Sequence, residues 1–277
     1  MLVKPDPDVG AGCAQPVAVA FENRRDRPAA EALAARLGLP VARRFRDPHP
    51  LLLELGADGR LGVRVARAGH PLAGGRPVVA DLLALDTGSP AGRKLNTPFF
   101  KAVGVRRGTA ERPRVLDGTA GLGEDAWLLA SAGCRVDAFE RNPVVLALLE
   151  DALARAAARE PGAAARLTAR GGEALDALRG LRGLPEADRP DTVYLDPMFP
   201  PGRRATERKA MRVVRMLEEA SGGTDDEAAL LAAARAAARR RVAVKRPSKA
   251  PPLAGVAPDH AQAGKAVRFD VYLTPRP

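Results

Sequence analysis

Apolar, strand-like segments alternate with helix-like segments from about residue 113 onward, and this alternation is the strongest constraint on the fold. The runs RVLD, CRVDAFE and DTVYLDP are each followed by a segment with helical character. Strands that alternate with helices predict a parallel, doubly wound sheet. The final run, VRFDVYLTP, is expected to lie antiparallel to its neighbour. The sequence therefore predicts an α/β domain over residues 91–277.

The first 90 residues have a different pattern, which predicts a small α+β domain over residues 1–90. Two alternating segments, Leu51–Leu55 and Leu61–Val65, flank a turn that contains Asp58 and Gly59, and they predict a β-hairpin. Three other elements are expected in this region: a strand at Val17–Phe21, a helix at Pro28–Leu37 and a strand at Val78–Leu85. The turn-rich, basic stretch Asp86–Phe100 is expected to be a linker or a loop near the substrate.

Several protein classes are disfavoured by what the sequence lacks. It has no run of 18 apolar residues, and its start, MLVKPDPDVG, has no apolar signal region, so we expect a cytoplasmic protein without a membrane span. Two cysteines and three dispersed histidines do not have metal-ligand spacing, so we expect no metal. No heptad pattern or long exposed apolar stripe stands out, and we expect a monomer.

The net charge of the chain indicates a polyanionic partner. Lys and Arg number 44 against 33 Asp and Glu, which gives a formal charge of +11. A basic protein of this size commonly binds nucleic acid. The excess of Arg and Ala could also reflect a biased genome composition, so charge alone does not decide the partner.

A glycine-rich turn, DGTAGLGED, follows the first strand of the α/β region. Gly118, Gly121 and Gly123 give the spacing GxxGxG, which differs from the GxGxxG of dinucleotide-binding proteins. Glycines allow a backbone to approach a ligand closely. Asp117 ends the first strand, and Glu140 ends the second, where an acid can accept hydrogen bonds from ribose hydroxyls.

Small and acidic residues also follow the next two strands, in RGGE (Arg170–Glu173) and at Asp196. The carboxyl ends of parallel strands meet at one edge of the sheet, so these residues are expected to line one crevice. The sequence has no GKT or GKS phosphate loop. A nucleoside without pyrophosphate therefore fits the crevice best, and S-adenosylmethionine is such a ligand.

The stretch YLDPMFPP places an acid and an aromatic residue in a stiff loop after the fourth strand. Asp196 and the carbonyl of Pro197 or Met198 could accept the hydrogens of an amine, and Phe199 could stack on a base, a contact worth about 1–3 kcal/mol. Proline fixes φ and would hold these groups in place. The loop resembles the Asp/Asn-Pro-Pro-Tyr/Phe loop of amino-methyltransferases, and we expect Asp196, Pro197 and Phe199 to be catalytic.

Three long motifs, LDGTAGLGEDAWLLASAGCRVDAFERNP, VYLDPMFP and VAVKRPSKAPPLAGV, occur in an order that resembles the RsmJ family. Members of that family methylate the N2 amine of guanine 1516 in bacterial 16S ribosomal RNA. The resemblance covers roughly residues 92–272 and implies a Rossmann-like, class I S-adenosylmethionine-dependent methyltransferase sheet with a small N-terminal domain. It also implies 16S rRNA or the small ribosomal subunit as the partner.

The resemblance also implies cofactor contacts beyond the crevice residues. They fall on Glu124 and Asp125 after the glycine turn, on the pair Glu140-Arg141, and on Asp196. Some members carry two serines where this chain has Gly171 and Gly172, which leaves backbone contacts there and would shift the adenine contact to Glu173. We expect the cofactor-binding set Asp117, Gly121, Gly123, Glu124, Asp125, Glu140, Arg141, Gly171, Gly172, Glu173 and Asp196.

Basic residues near the predicted site are candidates for contacts with RNA phosphates: Lys101, Arg203, Arg204, Lys245 and Arg246. Three alternatives to guanine-N2 methylation stay open at this point. Similar loops serve adenine-N6 methylation of RNA or DNA. A dinucleotide-dependent oxidoreductase is disfavoured by the glycine order, and a non-catalytic RNA-binding module would not require Asp196.

Overall fold

A computed structural model gives the fold and describes residues 16–42, 49–89, 95–198, 208–222 and 226–274. The chain divides into two compact units, Met1–Val79 and Ala80–Pro277. The domain boundary that we placed at residue 90 stays a prediction. Within the described ranges, no helix is both long and apolar enough to cross a membrane.

The first unit is built on one sheet with the strand order β1-β2-β3-β4. Its elements are β1 (Val17–Phe21), α1 (Arg27–Leu37), β2 (Leu51–Leu55), β3 (Leu61–Val65) and β4 (Val78–Val79). Strands β2 and β3 form the predicted hairpin, with Gly59 in the left-handed region at a φ of 77°. Strand β1 pairs in parallel with β2, a pairing that the sequence did not reveal.

The strand predicted over Val78–Leu85 is wrong beyond Val79. Only Val78 and Val79 pair with β3, and Leu82–Ala84 form a 3-10 helix. Leu82 is buried and explains the apolar pattern without any strand. A short apolar run does not distinguish a strand from a buried helical turn, and this ambiguity produced the error.

The second unit contains strands and helices in alternation. In chain order they are α2 (Pro98–Val103), β5 (Arg114–Asp117), α3 (Glu124–Ser131), β6 (Arg135–Glu140), α4 (Pro143–Ala157), α5 (Pro161–Ala164), β7 (Leu167–Gly171), α6 (Ala174–Leu181), β8 (Thr192–Leu195), α7 (Lys209–Ser221), α8 (Glu227–Ala237), β9 (Arg241–Pro247), β10 (His260–Ala263) and β11 (Val267–Leu273).

The described part of this unit forms one seven-stranded sheet with the order β10-β11-β9-β8-β5-β6-β7. Strands β5 to β9 are parallel to one another, and β11 is antiparallel to β9, which confirms the predicted α/β fold and its antiparallel last strand. Strand β10 was not predicted; it pairs antiparallel with β11. The chain runs from β5 toward β7 on one side and returns to β8 on the other, so the sheet has its switch point between β5 and β8.

Helices α6 and α8 cover one face of this sheet. Leu178 of α6 and Ala234 of α8 pack in one apolar cluster with Leu116, Val193 and Val244 from three neighbouring strands. Each of these residues is at most 3% exposed. Burial of a Val or Leu side chain contributes about 1.5–3 kcal/mol, so this cluster fixes the positions of the strands whose ends carry the site.

Helix α2 lies on the other face, where we had predicted only a loop. Thr97 caps it by accepting the Phe100 N–H on Oγ1, and Pro98 occupies its first turn. This Thr-Pro pair is a helix-start signal that the turn-rich composition obscured. Phe99 packs edge-on against Tyr194 of β8, with ring centroids 5.3 Å apart. Side chains of successive strand residues point to opposite faces of the sheet, and Val193 faces α8. Tyr194 therefore faces the other side, and α2, which contacts it, covers that face.

Candidate active site

The carboxyl ends of β5, β6, β7 and β8 bring the predicted acids and glycines to one edge of the sheet. Asp117 ends β5, Glu140 ends β6, Gly171 ends β7, and Asp196 directly follows β8. The crevice outside the switch point between β5 and β8 is where ligands bind in open α/β sheets.

The glycine turn after β5 is fixed by its own hydrogen bonds and by close packing. Gly121 (φ 54°) donates its N–H to Oε2 of Glu140 over 2.8 Å. Gly123 (φ 81°) directly precedes α3, and a Cβ placed on it would lie 2.3 Å from Cδ1 of Leu149. A side chain at Gly123 would therefore meet both a disfavoured φ and a buried leucine. The absence of a side chain at Gly123 therefore allows the turn to pack closely against α4.

Glu140 is a buried acid, 6% exposed, held by two backbone donors. Its Oε2 accepts the Gly121 N–H, and its Oε1 accepts the Asn142 N–H over 2.8 Å. Burial raises the pKa of Glu140 to about 7, while these N–H groups oppose the shift and Glu218 adds to it. Because each carboxyl oxygen has a second lone pair, both can still accept a hydroxyl group.

Asp117 is the most buried acid of the crevice, at 1% exposed. Burial raises its pKa to about 8, the Thr119 N–H (3.0 Å from Oδ1) counteracts this, and the nearby Asp125 and Asp196 raise it further. A carboxyl group with this pKa binds a proton at neutral pH. An arriving cation would favour its ionised form, because opposite charge stabilises the carboxylate.

A lysine links two carboxylates on opposite sides of the crevice. Nζ of Lys245 lies 2.9 Å from Oδ2 of Asp125 and 2.9 Å from Oδ2 of Asp196. Tyr194 donates its hydroxyl to the same Asp125 oxygen over 2.6 Å. This arrangement joins the start of α3 to the ends of β8 and β9.

The charges in this network shift each other's protonation. Burial lowers the pKa of Lys245, but Asp196 and then Asp125 outweigh burial and raise it, so the ammonium stays protonated. Burial raises the pKa of Asp196, and Lys245 opposes this shift. Burial, followed by the neighbouring acids Asp125 and Asp196, raises the pKa of Tyr194 far above its usual range, so its phenol remains a neutral donor.

Thr119 ties the loop after β8 to the glycine turn. Its Oγ1 accepts the backbone N–H of Asp196 over 2.6 Å. Pro197, which follows, is buried. The predicted catalytic residue Phe199 lies outside the described residues. The hydrogen bond between Thr119, just after β5, and Asp196, just after β8, therefore positions Asp196 and Pro197 at the crevice.

The remaining predicted cofactor residues lie around the same edge. Arg141 is ion-paired with Glu218 of α7, with N–O distances of 2.6–2.7 Å. Glu124, at the start of α3, lies 3.8 Å from Arg208. Gly172 (φ 126°) donates its N–H to the carbonyl of Glu140 over 3.1 Å. This hydrogen bond joins the turn after β7 to the end of β6. Glu173, which is exposed, directly precedes α6.

The candidate RNA contacts have different environments. Lys101 is exposed on α2. Lys245 takes part in the acid network described above. Arg246 is 2% exposed, donates to the carbonyl of Pro251 and lies 3.6 Å from Glu227, so an RNA contact by Arg246 would require this side chain to move. Arg203 and Arg204 lie outside the described residues.

Sequence reasoning missed Thr119, Tyr194 and the role of Lys245 in the crevice. The alternation of side chains along β8 could have indicated Tyr194, because Tyr194 and Asp196 are two residues apart and their side chains lie on the same face of the sheet. The position of Lys245 follows from the register between β8 and β9, where Leu195 pairs with Val244. That register is a tertiary property, and the sequence pattern does not specify it.

Comparisons with known proteins agree with the geometry. The family described as "Putative SAM-dependent methyltransferase" matches residues 75–274. The chain is 44% identical over 261 residues to ribosomal RNA small subunit methyltransferase J of Thioalkalivibrio sulfidiphilus, covering 92% of this chain and 96% of that protein. The protein of the same name from Pseudomonas paraeruginosa is 42% identical over 253 residues, covering 88% and 89%.

A solved structure gives the same result for the fold. The crystal structure of a SAM-dependent methyltransferase from Neisseria gonorrhoeae superposes with a TM-score of 0.65 at 31% identity. The match covers 92% of this chain and 95% of that one. The similarity therefore extends over both units of the chain.

Proposed function

The chain belongs to the ribosomal RNA small subunit methyltransferase J family, and from this membership we propose that it methylates the N2 amine of guanine 1516 in 16S rRNA. It is an S-adenosylmethionine-dependent methyltransferase of small-subunit rRNA. The observation that supports an amine as the methyl acceptor is Asp196, held at the crevice by Thr119 and Lys245. Family membership removes the oxidoreductase and the non-catalytic module as alternatives.

The residues of the crevice fit S-adenosylmethionine, which supplies an electrophilic methyl group on a positively charged sulfur. The buried Glu140 retains acceptor capacity for ribose hydroxyls, and a cationic ligand beside Asp117 would favour the ionised form of this carboxyl group. Nothing lies within 4 Å of the position that a Cβ on Gly121 would take, so the backbone of the turn is accessible to a ligand there. The proposed binding set is Asp117, Gly121, Gly123, Glu124, Asp125, Glu140, Arg141, Gly171, Gly172, Glu173 and Asp196.

Asp196 and Pro197 are proposed to orient the guanine amine. The N2 lone pair of guanine is delocalised into the ring, and acceptors on the two amine hydrogens help it to localise. The Asp196 carboxylate and the Pro197 carbonyl are the proposed acceptors, and the amine must lie about 3–3.5 Å from the methyl carbon. As the new N–C bond forms, the sulfur–methyl bond of the donor would break with its electron pair left on the now neutral sulfur, and the positively charged amine nitrogen would release a proton that Asp196 could accept. Phe199 is proposed to stack on the base.

Lys245 is proposed to keep Asp196 ionised and correctly directed. The Asp196 carboxylate is partly buried beside Asp125, and both burial and the second acid favour its protonated form. A protonated Asp196 would have fewer acceptor sites for the amine hydrogens. The Lys245 ammonium, 2.9 Å away, counteracts both effects. Lys245 thus acts through Asp196 and is a positioning residue.

The substrate must present the guanine unpaired. In an A-form duplex the N2 amine lies in the minor groove within the stack, so the base must be in a loop or be flipped out. We propose that Lys101, Arg203, Arg204, Lys245 and Arg246 contribute to RNA binding. We also propose that the enzyme acts as a monomer in the cytoplasm on 16S rRNA or the small subunit.

Nucleoside analysis tests the proposed target. Unmodified small-subunit rRNA is incubated with the enzyme and methyl-labelled S-adenosylmethionine, digested to nucleosides and separated by mass spectrometry. We expect the label in N2-methylguanosine. Label in N6-methyladenosine would contradict the guanine assignment while leaving the methyltransferase activity intact.

A further inference from the structure

A basic pocket lies at the edge of the sheet opposite the crevice, at the amino ends of β8 and β9. It has a volume of about 470 Å³, including space open to solvent. Its polar lining comes from the loop after α2 and from the starts of the two strands: Arg106, Thr109, Glu111, Thr192, Arg240 and Arg241. No step of methyl transfer uses these residues.

The pocket has more positive charge than its acids neutralise. Arg240 forms ion pairs with Glu111 at 3.1 Å and with Asp191 at 3.3 Å. Glu111 is the only acid in the described lining, and it therefore already has a cationic partner. Arg241 is partly buried, and among the described residues its guanidinium has no hydrogen-bond or ion-pair partner. Burial, followed by the charges of Arg106 and Arg240, lowers the pKa of Arg241. A partly buried guanidinium without an acid leaves donors available for an anion.

The loop that forms one wall is already ordered. The Arg112 guanidinium donates to the carbonyls of Arg106, Thr109 and Glu111, and its Nε donates to Ala132. A ligand would therefore meet a pocket whose backbone requires little ordering, which reduces the cost of binding.

Helix α2 connects this pocket to the active-site crevice. Its last residue, Val103, accepts the hydroxyl of Thr192 over 2.8 Å beside the pocket, while Phe99 near its start contacts Tyr194 at the crevice. Arg241 and Lys245 lie four residues apart on β9, which corresponds to about 13 Å at ~3.3 Å per residue. One RNA substrate can therefore contact both ends of the face that carries α2.

We propose that the arginine pocket around Arg241 binds a phosphate group. The source is either the backbone of the rRNA substrate or free phosphate, and the chemistry of the guanidinium is the same for both. The rRNA source rests on the proposed function, whereas binding of free phosphate does not. The exposed Lys101 on α2 would extend the same positive surface toward the crevice.

The test uses the full-length chain and two variants of the pocket. Arg241→Gln removes the partly buried guanidinium. Arg106→Gln removes an exposed one that has no described side-chain partner, so it provides a test even if Arg241→Gln does not fold. Arg135→Gln is the matched control, because Arg135 is exposed at the start of β6, on the same edge of the sheet but outside the pocket.

Two measurements distinguish the phosphate sources. Binding of unmodified small-subunit rRNA is measured at several salt concentrations, and inorganic phosphate is titrated at constant ionic strength while the arginine Nε–Hε resonances are followed. For an rRNA phosphate, the slope of log K against log salt decreases in magnitude by about 1 in each pocket variant and is unchanged in Arg135→Gln. For free phosphate, the rRNA slopes stay equal while the saturable shift seen in the wild type weakens in the pocket variants.

Equal rRNA slopes would overturn the proposal if the wild type shows no saturable phosphate shift or if the pocket variants retain that shift at full strength. Methyl transfer to the same rRNA by the wild type is measured in parallel. If that transfer is absent, the proposed function fails, but the phosphate titration still reports on the pocket by itself.

Discussion

Lys245 and Asp196 form an ion pair across the ends of β9 and β8, with Nζ 2.9 Å from Oδ2. The same ammonium lies 2.9 Å from Asp125, so one cation separates two carboxylates at the proposed methyl-transfer site. Without this ammonium, the charge of Asp125 would add to the rise that burial causes in the pKa of Asp196. The pair therefore links the protonation of the proposed amine acceptor to a residue that we had assigned only to RNA.

The first prediction concerns Lys245→Met, which removes the ammonium and keeps an apolar stem. The pKa of Asp196 should rise, because burial and Asp125 then act without the largest opposing charge. We expect kcat to fall by about 10²-fold at pH 7 and the ascending limb of the pH–rate profile to move to higher pH. Steady-state methyl transfer measured from pH 6 to pH 9 checks both effects.

Two further variants separate positioning from general damage. Lys245→Arg keeps the charge and should restore part of the activity and the original pH profile. Lys249→Gln, an exposed lysine in the turn after β9, is the matched control and should behave as the wild type. A Lys245→Met enzyme with reduced kcat and an unmoved pH profile would show that the ion pair has only a structural role.

The second prediction concerns Asp196→Asn. The amide has nearly the same shape but has no negative charge and accepts hydrogen bonds through only one oxygen. Because the carboxylate is the proposed acceptor for the amine, we expect kcat at saturating cofactor to fall by about 10²–10⁴-fold. Single-turnover transfer of labelled methyl groups to rRNA gives the measurement. Asp176→Asn on the exposed surface of α6 is the control, and full activity of Asp196→Asn would remove Asp196 from the mechanism.

The acids at the strand ends could be predicted because their location depends on a simple rule. Once the strand–helix alternation indicates a parallel sheet, Asp117, Glu140 and Asp196 must meet at one edge, whatever the details of packing. Lys245 and Arg246 were harder to assign, because their environments depend on the register of β9 and on which face packs against α8. Alternation with the buried Val242 and Val244 places Arg246 inside, and only the structure shows the Pro251 carbonyl and Glu227 that accommodate it.

The third prediction compares Gly123→Ala with Gly121→Ala. Both positions have positive φ, so both variants should lose about 1 kcal/mol from backbone strain. Only at Gly123 would the new Cβ meet Leu149, at 2.3 Å from Cδ1. We expect an additional loss of about 1–3 kcal/mol there from overpacking, measured as the free energy of unfolding in urea.

A double variant isolates that contact. Leu149→Ala alone should destabilise the protein, because Leu149 is fully buried. Combined with Gly123→Ala it should cost less than the sum of the two single changes, since the truncated side chain makes room for the new methyl group. Strict additivity would mean that the glycine is required for its φ alone.

The last prediction concerns the pH dependence of stability. In the folded state burial raises the pKa of Asp117 from 3.8 to about 8, so between these two pH values the native state holds a proton that the unfolded state has released. The unfolded state binds fewer protons in this window, and stability must therefore fall as the pH rises from about 4 to about 8 and then level off.

Asp117→Asn has no such proton and should escape this loss. Its free energy of unfolding relative to the wild type should increase from pH 5 to pH 8 by at least about 1.4 kcal/mol, the equivalent of one pKa unit. Urea unfolding at four pH values without cofactor measures this difference, with the exposed Asp188→Asn as the control. Parallel stability curves for Asp117→Asn and the wild type would show that Asp117 is already ionised in the folded protein at neutral pH.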